Sequence, residues 1–175
     1  MALLAEELVE EWLNRNGYFT IRGIKLGVHE IDLLAIRVNG AKIEARQVEV
    51  QASAHPVSYL SPLPKEIRKS TGRGSASTKT RSEKELRDGI KEWVDKKFHL
   101  EVKKKLRKKL FQGTGSFELV VHQVKFPQEL DYLREHGILV HNLDEIVESL
   151  SNGHATMIPR ASGSDLFELV MLGRE

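Results

Sequence analysis

Apolar positions recur at helical spacing at the start of the chain, where Leu4, Ala5, Leu8, Val9, Trp12 and Leu13 share one face and Asn16-Gly17 stops the run. The spacing predicts an amphipathic helix over Leu3 to Asn16, with Glu6, Glu7, Glu10 and Glu11 along its flanks. The period then shortens towards two. Tyr18 to Ile24, Val28 to Val38 and Lys42 to Gln51 each read as a strand, and Asn39-Gly40 supplies a hairpin turn between the last two. A helix followed by a three-stranded meander is the expected first third.

Pro56, Pro62 and Pro64 mark a loop, and Ser70 to Ser77 is small, polar and basic, the composition of a mobile loop. Ser82 and Glu85 fit a capping box, so a helix is expected to start there and run through Leu86, Ile90, Trp93, Val94 and Phe98. Its pattern continues through Val102, Leu106 and Leu110 until Gly113 and Gly115. Trp93 and Phe98, at helical spacing with Ile90 and Val94, read as core. Phe117 to Val124 and Ile138 to His141 read as strands, Pro127 to His136 and Asp144 to Leu150 as helices, the second opened by Asn142 or Asp144. A last helix over Asp165 to Met171 is the expectation for the tail.

Composition bounds what such a chain can be. With 175 residues and 40% hydrophobic content it can bury one ordinary core, so residues 1–150 are read as a single domain and 151–175 as a C-terminal extension. No apolar stretch is long enough for a membrane span, and the first residues do not form a signal peptide; a cytoplasmic protein without membrane partners is expected. Without cysteine there is no disulfide, thiolate metal site or cysteine nucleophile, so any metal would be held by oxygen or imidazole. The net charge of +2 hides an asymmetry. Lys65 to Lys109 holds seventeen of the 27 Lys and Arg against seven of the 25 Asp and Glu, or +10, which leaves −8 on the rest. Such a split suits a polyanion-binding segment on an acidic body, although a lysine run can also be a solvated helix face.

Candidate chemistry lies directly before that segment. Glu30-Ile31-Asp32 is followed, after sixteen residues, by Glu49-Val50-Gln51. Side chains alternate along a strand, so Glu49 and Gln51 share a face and Val50 points to the other, while its backbone carbonyl is a possible ligand. By the same parity Glu30 and Asp32 share a face, and Glu30 is either an additional ligand or a surface acid.

The order helix, three strands, helix, strand, with acids on the second and third strands, resembles the PD-(D/E)XK nuclease superfamily, whose fold is restriction-endonuclease-like. The resemblance is greatest to its Mrr-like and Holliday-junction-resolvase-like branches. It rests on Glu6-Glu7-Leu8-Val9 leading to Gly17-Tyr18, on Gly27 to Ala35, and on Val48-Glu49-Val50-Gln51. It implies an α/β fold with a central mixed sheet flanked by helices, in α-β-β-β-α-β order with a basic helical insertion. It also implies a Mg²⁺- or Mn²⁺-dependent endonuclease acting on DNA, with RNA not separable. Such enzymes often work as homodimers, and recognition is expected to be structure-selective or delegated to a protein partner, in a restriction- or repair-related role.

The resemblance places metal ligands at Asp32, Glu49 and the Val50 carbonyl, and the family's helical acid at Glu6 as an auxiliary ligand or water-positioner, with Glu10 one turn later as substitute. Acids near a helix N-terminus are favoured by its dipole whatever the function. Gln51 departs from the family, whose usual residue there is lysine. An amide can orient a water but brings no charge, and Lys65, Lys69 or Arg81 would have to replace the missing cation. His55 and Tyr59, on the loop leaving the site, are candidates for phosphate contact or stacking; the other histidines show no ligand spacing. Arg68, Lys69, Arg73, Lys79, Arg81, Lys104, Lys105 and Lys108 are the expected phosphate contacts. The alternative from another class is a nucleic-acid-binding or scaffold protein that keeps the fold without hydrolysis.

Overall fold

A computed structural model describes residues 2–53, 55–56, 58–111 and 115–151. The expected helix over Asp165 to Met171 lies outside them. The elements run α1 (Ala2–Arg15), β1 (Phe19–Leu26), β2 (His29–Asn39), β3 (Lys42–Gln51), α2 (Lys65–Thr71), α3 (Glu83–Phe98), α4 (Glu101–Leu110), β4 (Gly115–Val121), α5 (Gln128–Glu135), β5 (Ile138–Asn142) and α6 (Leu143–Ser151).

The five strands form one mixed sheet in chain order. β1, β2 and β3 are an antiparallel meander, whereas β3, β4 and β5 are parallel and need helical crossovers between them. Both hairpin loops are two residues long. Each places a positive φ on its first residue, Gly27 (65°) and Gly40 (60°), as type II′ turns require, so the second turn is Gly40-Ala41 rather than Asn39-Gly40.

Helices cover both faces. Leu8, Val9 and Leu13 of α1, with Ile146, Val147 and Leu150 of α6, bury Leu33, Ala35, Val48 and Val120. On the other face α3 and α5 cover Leu119 and Val121 with Ile90, Trp93, Val94, Phe98 and Leu133, so Trp93 and Phe98 are core as expected. An α/β architecture with a mixed sheet between helices is therefore observed.

Two further expectations need correcting. Residues 65–71 are helical, and the stretch after them is tied down: Leu63 N donates to the Ser75 carbonyl, and Arg73 pairs with Glu85 at 2.8 Å. The long helix from Ser82 is also two helices. The Ser82–Glu85 capping box opens α3 as read, but Leu100 is extended (ψ 137°) and α4 starts anew. The break has a physical cause. The last carbonyls of a helix lack internal partners, and here Lys103 Nζ donates to Lys97 O (2.8 Å) and Arg107 Nη2 to Phe98 O (2.8 Å). A continuous helix could not turn those cations back onto its own end.

Candidate active site

The β2–β3 ladder ends at Leu33 opposite Val48, although both strands run on, so they part at this end. Asp32 fills the gap: its Oδ2 accepts the Val50 N–H at 2.8 Å, where a ladder carbonyl would otherwise stand. In an antiparallel ladder a strand residue's N–H and C=O face the same neighbour, so the Val50 carbonyl faces this gap as well.

Opposite residues share a face, which puts Asp32 and Glu49 on the side covered by α3 and α4. Glu49 is almost fully buried there, next to Leu119 in register. A carboxylate in such a place needs partners. Lys97 of α3 donates to Oε2 at 2.6 Å, while Lys103 of α4 (3.2 Å) and Gln47 (3.1 Å) donate to Oε1. Arg107 closes the set by donating to Gln47 Oε1.

The charges around this point are coupled. Burial, followed by the negative charge of Asp32, pushes the Glu49 carboxyl above its ordinary range, against the pull of Lys97 and Lys103. Burial opposes the charge on Lys97, yet Glu49, Asp32 and Glu30 hold that ammonium above its usual value. Burial lowers Lys103. Glu6 of α1 is raised by burial first and then by Asp32 and Glu30, which places these acids within electrostatic reach of one another. A second buried carboxylate, Glu118 on the opposite face, provides a contrast. Although burial alone would raise it, His141, Arg46 and Ser116 hydrogen-bond it and hold it at about 2.

The sequence-predicted residues thus divide. Asp32, Glu49 and Val50 meet at one strand end, and Glu6 lies within electrostatic reach of Asp32. Glu10 does not join them, since Thr20 and Arg22 of β1 occupy its carboxylate. Glu30 is exposed at the edge of the group. Gln51 shares the Glu49 face but spends its amide on the Leu60 carbonyl (3.1 Å).

The ammonium groups beside Glu49 are those of Lys97 and Lys103, not of Lys65 or Lys69, and Arg81 is engaged elsewhere. Arg81 is buried, donates to Ser61 O (2.8 Å) and stacks on Tyr59, whose ring stacks in turn on Phe126; neither Arg81 nor Tyr59 presents a free face to a substrate. His55 is exposed, and its backbone N–H donates to Ser53 Oγ. Arg73 is committed to Glu85. Lys69, Lys79, Lys105 and Lys108 are exposed, and Lys104 is partly so. Sequence reading missed the roles of Lys97 and Lys103, because nothing in a lysine-rich run marks which lysines turn inward.

Among the described residues no three acids or histidines are grouped to hold a metal ion. The donors at the gap are nevertheless of the right kind. Hard divalent cations take carboxylate and carbonyl oxygens and keep several waters, and Asp32, Glu49 and the Val50 carbonyl are oxygen donors at one strand end.

No family model and no curated protein matches the chain. A solved crystal structure, described as that of a protein of unknown function, AF1548, is similar with a TM-score of 0.50 and 16% identity. The match covers 99% of this chain and 79% of that one, and at this identity it speaks to the fold alone.

Proposed function

We propose that the chain is a Mg²⁺- or Mn²⁺-dependent nuclease that hydrolyses phosphodiester bonds in DNA, on a restriction-endonuclease-like core of PD-(D/E)XK type. One observation carries the reading: Lys97 Nζ lies 2.6 Å from Glu49 Oε2, at the parted strand end that Asp32 occupies. An acid pair on neighbouring strands with an ammonium beside it is the set of groups phosphodiester hydrolysis uses, here with the amine coming from a helix instead of position 51.

Asp32, Glu49 and the Val50 carbonyl are the residues that would hold the ion. Once bound, it would supply charge neutralisation at the phosphate and a water of lowered pKa. Lys97 stabilises negative charge developing on the phosphate oxygens, the part an amide at Gln51 cannot play. Glu6, a carboxyl already raised and half-buried, takes up a proton from the attacking water or orients it. Lys103 and Gln47 keep Glu49 in place.

A second reading, a DNA-binding protein that keeps the fold without hydrolysis, is favoured by one feature: both Glu49 oxygens already have ammonium partners. The two are separated by incubating single-stranded, duplex, flapped and four-way-junction DNA, and RNA, with Mg²⁺ or Mn²⁺. Under the nuclease reading Asp32→Ala, Glu49→Ala and Lys97→Ala each lower the cleavage rate by about a hundredfold or more. Equal cleavage by wild type and all three variants would trace the activity to a contaminant. No cleavage by wild type, together with no Mn²⁺ heat in titration, would select the binding protein.

A further inference from the structure

A cavity of about 910 Å³ opens beside Lys97, between α2 with the loop before it and the α3–α4 junction. Lys65 and Arg68 line one side, and Lys96, Lys97 and Lys104 the other. Two acids, Glu92 and Asp95, also face it, but Glu92 is engaged with the Lys65 backbone N–H at the start of α2. Lys97 is paired with Glu49 (2.6 Å) and Lys104 with Glu101 (3.0 Å), so Lys65, Arg68 and Lys96 face Glu92 and Asp95 and leave the cleft with a small positive excess. Arg68 Nε is buried there without a hydrogen-bond partner, an unmet donor on a charged group. Leu60, Pro62, Trp93 and Leu100 contribute apolar surface.

The cleft is built from buried supports. Glu129, fully buried, accepts from Leu60 N (2.8 Å), Ser61 N (3.2 Å) and Ser61 Oγ (2.7 Å), which fixes the loop wall. Gly89 lets that loop lie against α3, since a Cβ there would stand 2.8 Å from Ser61 Oγ. A pocket with rigid walls, cations at its rim and apolar surface within suits a chain of phosphates carrying flat, partly apolar groups.

We propose that this cleft receives a single unpaired polynucleotide strand and leads its backbone to Lys97 and Glu49. The inference rests on the nuclease reading for the purpose of the cleft, although the binding itself does not depend on hydrolysis. The apolar lining decides the class of substrate: an unpaired strand can lay base faces against Trp93 and Leu100, whereas a duplex keeps its bases stacked inside. The lysines on the outer side of α4 that dominate the charge of the sequence, Lys105 and Lys108, do not line it. The strand is recognised by Lys65, Arg68 and Lys96, drawn from two helices on opposite sides of the cleft.

The test is fluorescence anisotropy with the full chain in EDTA, using a labelled single-stranded 20-mer and the same sequence as a blunt duplex. The single strand is expected to bind about tenfold or more tightly than the duplex. Lys65→Ala/Arg68→Ala should weaken it by about tenfold and reduce the slope of log affinity against log salt by roughly 1.4, about 0.7 per lost phosphate contact. Lys42→Ala/Lys125→Ala, an equal change of charge on exposed lysines outside the cleft, should cost less than about threefold. Equal or tighter duplex binding would overturn the proposal, as would equal losses in the two double variants or competition by polyglutamate of matching charge. Because no metal is present, single-strand binding that survives while cleavage fails removes only the nuclease reading. Cleavage that survives with duplex preferred removes only the cleft.

Discussion

Two lysines meet the same carboxylate, and their surroundings give them different work. Lys103 has a side chain 2% exposed and donates both to Glu49 and to the Lys97 carbonyl, whereas Lys97 is 32% exposed and borders the cleft. Lys103→Met keeps most of the volume but leaves Glu49 with one ammonium and the Lys97 carbonyl with Gln47 Nε2 (3.0 Å) as its donor. A loss of about 2 kcal/mol in urea unfolding is expected, at the low end for breaking a buried pair because Lys97 and Gln47 remain. Lys97→Met should cost less than about 1 kcal/mol, since that pair is partly open to water, while under the nuclease reading it lowers cleavage about a hundredfold or more. If both variants lose stability equally and activity equally, the division between a supporting and a reacting lysine is wrong. At this scale the acids were legible in the sequence and the cations were not. Asp32 and Glu49 follow from strand parity, which any alternating segment displays. Lys97 and Lys103 are specified by where α3 ends, and that end depends on tertiary hydrogen bonds.

At the scale of elements, the course of the chain from β3 to β4 decides the site, because a parallel pair requires a crossover and this one carries Lys97, Lys103 and the cleft walls. Gly89 is the tightest point on it. A methyl group there would meet Ser61 Oγ at 2.8 Å and the Pro62 carbonyl at 2.9 Å, the latter being backbone that cannot rotate aside. Alanine gains up to about 1 kcal/mol of helix propensity, but overpacking of this kind costs about 1–3 kcal/mol. Gly89→Ala is therefore expected to lower stability by about 1 kcal/mol in thermal or denaturant unfolding and to weaken single-strand binding as the loop is pushed outwards. A more stable variant with unchanged binding would show that the loop wall yields without consequence. The capping box at Ser82 and the hairpins were readable because their signals are local. The helix at 65–71 and the break at His99-Leu100 were not, since Lys-rich segments carry little apolar periodicity and their shape is set by carbonyls and carboxylates elsewhere.

For the whole molecule, the sheet carries a buried carboxylate on each face, and acid should release them in different ways. Glu118 accepts from Arg46 (2.6 and 2.5 Å) and from Ser116, and lies 2.8 Å from His141 Nε2, beneath Trp12 and Tyr18, whose rings Arg46 also contacts. Its folded value of about 2 lies below the ordinary carboxyl value of 4.5, so the unfolded chain takes up the proton first. The resulting stabilisation is fully present above the unfolded value and is lost as pH falls from about 4.5 through about 2. A depression of this size in a buried group corresponds to about 3 kcal/mol. Glu44, which is partly exposed and held at about 2 by Asn39, Arg37 and Tyr18, adds a slope in the same window. Glu49 has the opposite sign, because its raised folded value makes the native state bind a proton before the unfolded chain does. Urea titrations between pH 7 and pH 2.5 should therefore show stability falling most steeply below about 4.5. Glu118→Gln should be less stable at pH 7, where a buried neutral amide faces Arg46, and should have a flatter acid arm. An acid arm unchanged by Glu118→Gln would assign the loss to other carboxylates and leave the buried network without a role in it.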